Sequence, residues 1–400
     1  MTVHSSPARS AALALRLLSL AYFWMGTGAL AVVGALPVMA GSLGLSEGAV
    51  AFLVSAYSIT FAVGAPILQV MVGHLPRRTL LLCGLSVMAV SAVGTGLAPN
   101  YPVLLAMRVL AALGAAAVGP VASAMGSGLV PPSDQGRALA VVFSGMTVAL
   151  VIGVPLSAWG AAVAGWRVLF VAIGVLTASA ALLIGLRIAD RVSGQRVRLG
   201  HLLDALRSPA IVGGLAVMVL EMAGLFATYT LIAPILHDQY GADAGTVSLA
   251  LLVYGVAGVG GNLVARRLGD RWAAETLIAA SLLVMAGAFL AMRLLPGHIA
   301  AALVVLVAWA LASDVFMPSQ QRRMVELAPG LRGLVLALNA SCIYVGMAAG
   351  SFVAGSTSSL FGLEALPYAS VLLILLGLGA LGRSRGAMKR EDAAAEDAGV

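Results

Sequence analysis

The feature that decides what this chain can fold into is the length of its apolar runs. A helix needs about 20 apolar residues to cross about 30 Å of hydrocarbon. Such runs recur at 17–40, 49–72, 79–98, 102–129, 138–162, 166–187, 210–236, 246–265, 273–295, 299–321, 333–360 and 365–382. Twelve of them leave little room for anything else in 400 residues, of which only 10% are charged, where soluble domains hold about 25%. A segment in lipid must satisfy its backbone internally, which a helix does. The chain therefore reads as an all-α polytopic membrane protein with twelve transmembrane helices. A short basic lead, Arg9 and Arg16, precedes the first run. That run outlasts the apolar core of a signal peptide and shows no cleavage signature, so it reads as a retained span.

The formal charge of +7 raises the question of a nucleic-acid partner. Its distribution answers it. With the N-terminus in the cytoplasm, the lysines and arginines collect at cytoplasmic ends and loops, and of 23 only Arg108, Arg167 and Arg293 fall elsewhere. The positive-inside rule then sets both termini in the cytoplasm of a chain that crosses its membrane many times. The basicity is topological and implies lipid bilayer, not nucleic acid. Cys83 and Cys342 lie in apolar runs and support neither a disulfide framework nor a metal site. The five histidines are scattered, and GLGALG at Gly377–Gly382 follows no strand and ends an apolar span. The sequence carries no enzyme signature and asks for no cofactor.

Aligned with itself at a shift of 197, without a gap, the first half meets the second. Pro37 falls on Pro234, Gly44 on Gly241, Tyr57 on Tyr254, Gly64 on Gly261, Gly153 on Gly350 and Gly165 on Gly362. Leucine and alanine matches are cheap in this composition, whereas prolines and glycines kept in register over six spans are not. The chain is a duplicated six-helix unit. An even number of spans gives both copies one orientation, the parallel-repeat plan of secondary transporters with a site near the midplane. The divisions are 1–16, a cytoplasmic N-terminus; 17–187, the first half; 188–209, a cytoplasmic inter-half loop; 210–382, the second half; and 383–400, a cytoplasmic tail expected to be disordered.

Three stretches carry a resemblance. GRALAVVFSGMTVALVIGVPLSAWGAAVAGWRVLF (136–170), GHLPRRTLLL (73–82) and LLAMRVLAALGAA (104–116) resemble the fifth-span antiporter motif, the gating loop and the buried-arginine motif of the major facilitator superfamily. The branch is that of bacterial drug:proton antiporters, with sugar-efflux, arabinose-exporter-like and purine-ribonucleoside-exporter proteins. It covers all twelve spans. The resemblance implies proton-coupled export by rocker-switch alternating access. It also implies gating roles for Arg77 and Arg78 and, in the second copy, for Asp270 and Arg271. Arg108 matches the buried arginine. The sequence departs from the pattern where Val154 separates Gly153 from Pro155, where Gly73 replaces the loop's aspartate, and where Ala29 stands in the place of an acid. Physically, Pro155 removes a backbone donor and bends its helix, as Pro37 and Pro234 would near the ends of their spans. Close packing by glycine alone is the competing account of the fifth-span motif, topology that of the loop arginines, and snorkelling that of Arg108.

Proton coupling needs a group that gains and loses a proton. Glu221 lies about 16 Å into span seven, near mid-bilayer, and Asp314 lies nearer the cytoplasmic end of span ten, where pairing with a basic neighbour is the alternative. Polar side chains positioned to meet a substrate are Thr27, Tyr57, Ser144, Thr147, Thr228, Tyr229, Tyr254, Asn339 and Tyr344. Asn339 leads them, since its carboxamide both donates and accepts; an interhelical hydrogen bond is its alternative use. Sparse polar groups on an apolar wall suit a small amphipathic molecule, drug, sugar or nucleoside-like. The expected function is secondary active transport driven by the proton gradient, with each chain working as a monomer. Import or facilitation on the same fold is the alternative, and a non-transporting sensor is disfavoured.

Overall fold

The computed structural model describes residues 7–131, 134–188, 206–269, 271–328 and 332–397. Among them fourteen α-helices follow in order: α1 (Pro7–Leu43), α2 (Glu47–Val72), α3 (Arg77–Leu97), α4 (Tyr101–Gly128), α5 (Gln135–Val148), α6 (Val154–Ala164), α7 (Trp166–Arg187), α8 (Pro209–Tyr229), α9 (Ile232–Tyr240), α10 (Ala244–Gly269), α11 (Ala274–Leu294), α12 (Ile299–Leu327), α13 (Arg332–Phe361) and α14 (Leu366–Asp397). Twelve helical spans are long and apolar enough to cross a membrane, and they match the twelve apolar runs in order.

Local chemistry sets the ends, and it repeats. Asn100 caps α4 by accepting from the Val103 N–H at 3.1 Å, and Ser208 caps α8 by accepting from Ile211 at 3.3 Å, each with a proline in the first turn that needs no donor. Ser46 and its repeat mate Asp243 cap α2 and α10. Gly44 and Gly241 both turn the chain at φ near +64°, at +63° and +65°, and Gly165 and Gly362 do so at +84° and +81°. A side chain with a Cβ is strained at such angles. The register at 197 is thus written into the backbone as well as the sequence.

The prolines act where they remove a donor. Pro155 cannot bond back to Val151, and over Ala149–Gly153 the ladder slips to π-helix, the Val154 N–H reaching the Ala149 carbonyl. Span five is therefore α5, a π turn and α6. Ahead of Pro234 the helix stops at Tyr229 and restarts at Ile232, with the Thr230 hydroxyl donating to the Phe226 carbonyl at 2.6 Å. The matched proline in the first copy is handled differently. Helix α1 continues through Pro37.

The chain forms two compact units, 1–45 with 56–197 and 46–55 with 198–400. In the first, α1 packs on α4, α5, α6 and α7, and α3 on α4 and α7. In the second, α8 packs on α13 and α14, α12 on α10 and α11, and α11 on α14. The opening helices α1 and α8 are the most enclosed, each 72% buried over its apolar window, against 33% for α10. Large apolar side chains such as Leu97, Leu186, Leu360 and Phe361 point outward, as lipid-facing residues do. Without a hydrophobic drive between helices in lipid, close backbone approach supplies the attraction. Gly145 provides it: a Cβ there would run into the Ser19 carbonyl oxygen of α1.

The tail departs from expectation. Helix α14 continues past residue 383 to Asp397 instead of becoming irregular. The cause is Ser384, fully buried, whose hydroxyl donates to the Ala210 carbonyl at 2.6 Å and accepts from Arg323 at 2.8 Å. Arg385 then pairs with Glu275, which also holds Arg323 at 3.2 Å.

Candidate functional site

In the first unit the deepest charge is Arg108, 2% exposed. Its two terminal nitrogens donate to α1 carbonyls, Gly28 at 2.8 Å and Ala29 at 2.7 Å, and its guanidinium lies 4.6 Å from the centre of the Tyr57 ring. This is not a snorkelling side chain. It turns inward to the stretch of α1 where the resemblance leads one to expect an acid and Ala29 stands instead. Backbone carbonyls and a π face take the place of the carboxylate.

The other motif arginines close helix ends. Arg77 donates to the Ala124 carbonyl at 3.0 Å in the last turn of α4, Arg78 to Gly185 at 2.5 Å in the last turn of α7, and Arg167 to Ala98 at 2.6 Å beyond α3. The Gly185 and Ala98 carbonyls lie at helix ends, where intrahelical donors run out, whereas the Ala124 carbonyl also accepts from the Ser127 hydroxyl of its own helix at 3.2 Å. Trp166 donates its indole N–H to Ser42 at 2.6 Å, tying α7 to the end of α1. Glycine, tryptophan and arginine in succession thus turn the chain, anchor it and cap a neighbour. Asp270 lies outside the described residues, and Arg271 is exposed.

The second unit holds the acids. Glu221 on α8 has no exposed surface; its Oε1 is approached by the Ser313 hydroxyl of α12 at a long 3.5 Å, and its Oε2 has no partner. Next to Ser313, Asp314 accepts from the Asn262 carboxamide of α10 at 2.6 Å. Asp314 presses into a glycine notch on α10, where a Cβ at Gly258 or Gly261 would collide with it. Tyr254 stands beside these groups and packs against Tyr229 and Trp309, with ring centres 5.2 and 5.3 Å away. Among the described residues neither carboxylate meets an arginine or lysine. Asp314 therefore lacks the basic neighbour that was its alternative.

The repeat-matched tyrosines mark the contrast. Tyr57 lies against the buried cation of its unit, and Tyr254 beside the acids of the other, Glu221 buried and Asp314 half-buried. Trp24, which shares a cavity with Arg108, is the repeat mate of Glu221. The same register carries opposite chemistry in the two copies.

The remaining polar candidates divide. Thr27 is buried with its hydroxyl unpartnered, wedged against Gly153. Ser144 and Thr147 are exposed, Ser144 pairing with Ser19 at 3.2 Å. Thr228 pairs with Ser370 at 2.7 Å. Tyr229 is buried in the aromatic cluster, and Tyr344 is half-buried. Asn339 is buried and accepts from Gln320 at 3.3 Å, with Gln320 also donating to Gly214. That is the interhelical bond weighed as its alternative. Ser313, Asn262 and Gln320 were missed from the sequence. Asn262 carried the signal that singled out Asn339, a carboxamide in an apolar run.

Comparison with known proteins places this geometry. The family model described as Major Facilitator Superfamily matches residues 18–230 and again 214–398. The chain is 34% identical over 356 residues to a chloramphenicol resistance protein of Streptomyces lividans, covering 86% of this chain and 89% of that one. It is 29% identical over 342 residues to the inner membrane transport protein YdhP of Escherichia coli K12, covering 86% and 88%. In structure it resembles a bacterial homologue of the human lysosomal transporter Spinster, with a TM-score of 0.79 at 17% identity over 95% of this chain and 98% of that one.

Proposed function

Because this chain belongs to the major facilitator superfamily, a family of membrane transporters, we propose that it exports a small amphipathic organic molecule in exchange for protons, with Glu221 as the proton carrier. The observation that carries this reading is a carboxyl group with no exposed surface, one oxygen without a partner and, among the described residues, no arginine or lysine paired with it. Enclosing an ionised carboxylate without a counter-charge is expensive. Glu221 therefore takes up a proton when it is enclosed and yields it when its surroundings open to water. Asp314, held by Asn262, is the second acid of the set.

Relatives named for chloramphenicol resistance or efflux in Streptomyces lividans and Mycobacterium tuberculosis support a drug of that kind as substrate, and the sparse polar groups of each unit suit it. Both termini lie in the cytoplasm on this reading, and transport proceeds by alternating access. The test is proton movement in everted membrane vesicles. With an acid interior established, chloramphenicol or another compound from a panel of sugars, nucleosides and antibiotics is expected to dissipate the gradient. If none does so beyond vesicles lacking the protein, antiport is refuted.

A further inference from the structure

We propose that the cavity beside Arg108 binds a single halide-sized monovalent anion. The site lies within the first unit and stands apart from the proton reading, which concerns the second.

Three observations converge. Arg108 is buried with its Nε–H unpartnered, although both terminal nitrogens are bonded. None of the ion pairs among the described residues includes it, and α1, whose carbonyls it grips, has no carboxylate side chain from Trp24 to Leu43. Beside it is a cavity of about 20 Å³, lined by Trp24, Tyr57, Ser91, Thr95 and Thr177 as well as Arg108. That is room for one water-sized or halide-sized particle.

The lining selects the occupant. Arg108 Nε–H, the Tyr57 phenol and the Trp24 indole are donors. The hydroxyls of Ser91, Thr95 and Thr177 bond to carbonyls of their own helices at 2.8, 2.8 and 2.7 Å, and can turn to donate inward. A cation would meet the guanidinium. A sulfate or a phosphate dianion would carry more negative charge than the single guanidinium balances. Water would satisfy the Nε–H but leave a buried positive charge unbalanced, whereas a halide meets both needs.

The experiment uses the full chain purified into lipid nanodiscs, in sodium chloride or sodium gluconate at equal ionic strength. Chloride is expected to raise the thermal midpoint by about 2–4 °C, and radiolabelled chloride to bind saturably at a single site, with bromide but not sulfate competing. Arg108→Gln should abolish both effects. Ala92→Leu, which fills space at the cavity and leaves the charge alone, should weaken chloride binding about tenfold or more. It decides the matter if Arg108→Gln fails to fold. Absence of saturable chloride binding in the unmodified chain, or wild-type chloride affinity in either folded variant, overturns the proposal.

Discussion

At residue 145 there is no space for a methyl group, because the Ser19 carbonyl of α1 occupies it. Gly145→Ala is expected to destabilise the protein by about 1–3 kcal/mol, read as a lower thermal midpoint in detergent. Gly41→Ala, where nothing stands within 4 Å, is the control and should be neutral or stabilising. The acid cluster makes a second prediction. Asn262→Leu removes the donor to Asp314 and should cost about 1–3 kcal/mol, with Asn262→Gln restoring part of it. Charges were the easiest residues to read from the sequence, since an acid or a guanidinium in an apolar run is costly wherever it sits. Their partners were not legible. Asn262 is 52 positions from Asp314 and Arg108 is 80 from Gly28, and no periodicity links contacts of that range. Asn339 illustrates the same limit: its depth was readable, but its bond to Gln320 was not.

The helices themselves were legible because apolar length is a direct requirement of the bilayer, and the repeat because glycines with positive φ tolerate little else. What the pattern hid was how each proline is accommodated. Pro155 opens a π turn, Pro234 parts two helices, and Pro37 does neither; packing decides among these, and packing is not a local property. Helix α14 shows the same. Its polar composition beyond residue 383 suggested disorder, yet Ser384 locks it between Arg323 and Ala210. Truncation after residue 382 is therefore expected to leave Arg323 short of a partner and to cost several kcal/mol, seen as loss of folded protein from membranes. Truncation after Arg390 should be silent. At the start of α10, hydrogen bonds from Thr246 hold the Asp243 carboxyl below the usual carboxylate range. Its cap is present above that group's ordinary value and is lost as pH falls through the lowered one. Asp243→Asn should keep the cap and remove this acid dependence from thermal unfolding.

For the molecule as a whole, duplication has produced two units with one architecture and opposite charge beside the repeat-matched tyrosines Tyr57 and Tyr254. The first holds Arg108 on backbone carbonyls, and the second holds Glu221 and Asp314, which among the described residues pair with no arginine or lysine. In the proposed cycle Glu221 is the group that takes up and releases the coupling proton. The measurement that tests it most directly compares Glu221→Gln with the unmodified chain in the same reconstituted vesicles, using whichever compound dissipates the pH gradient. Gradient-driven transport should fall about 100-fold or more, while counterflow exchange of labelled for unlabelled compound, which needs no net proton movement, persists. Undiminished gradient-driven transport by Glu221→Gln would contradict the account.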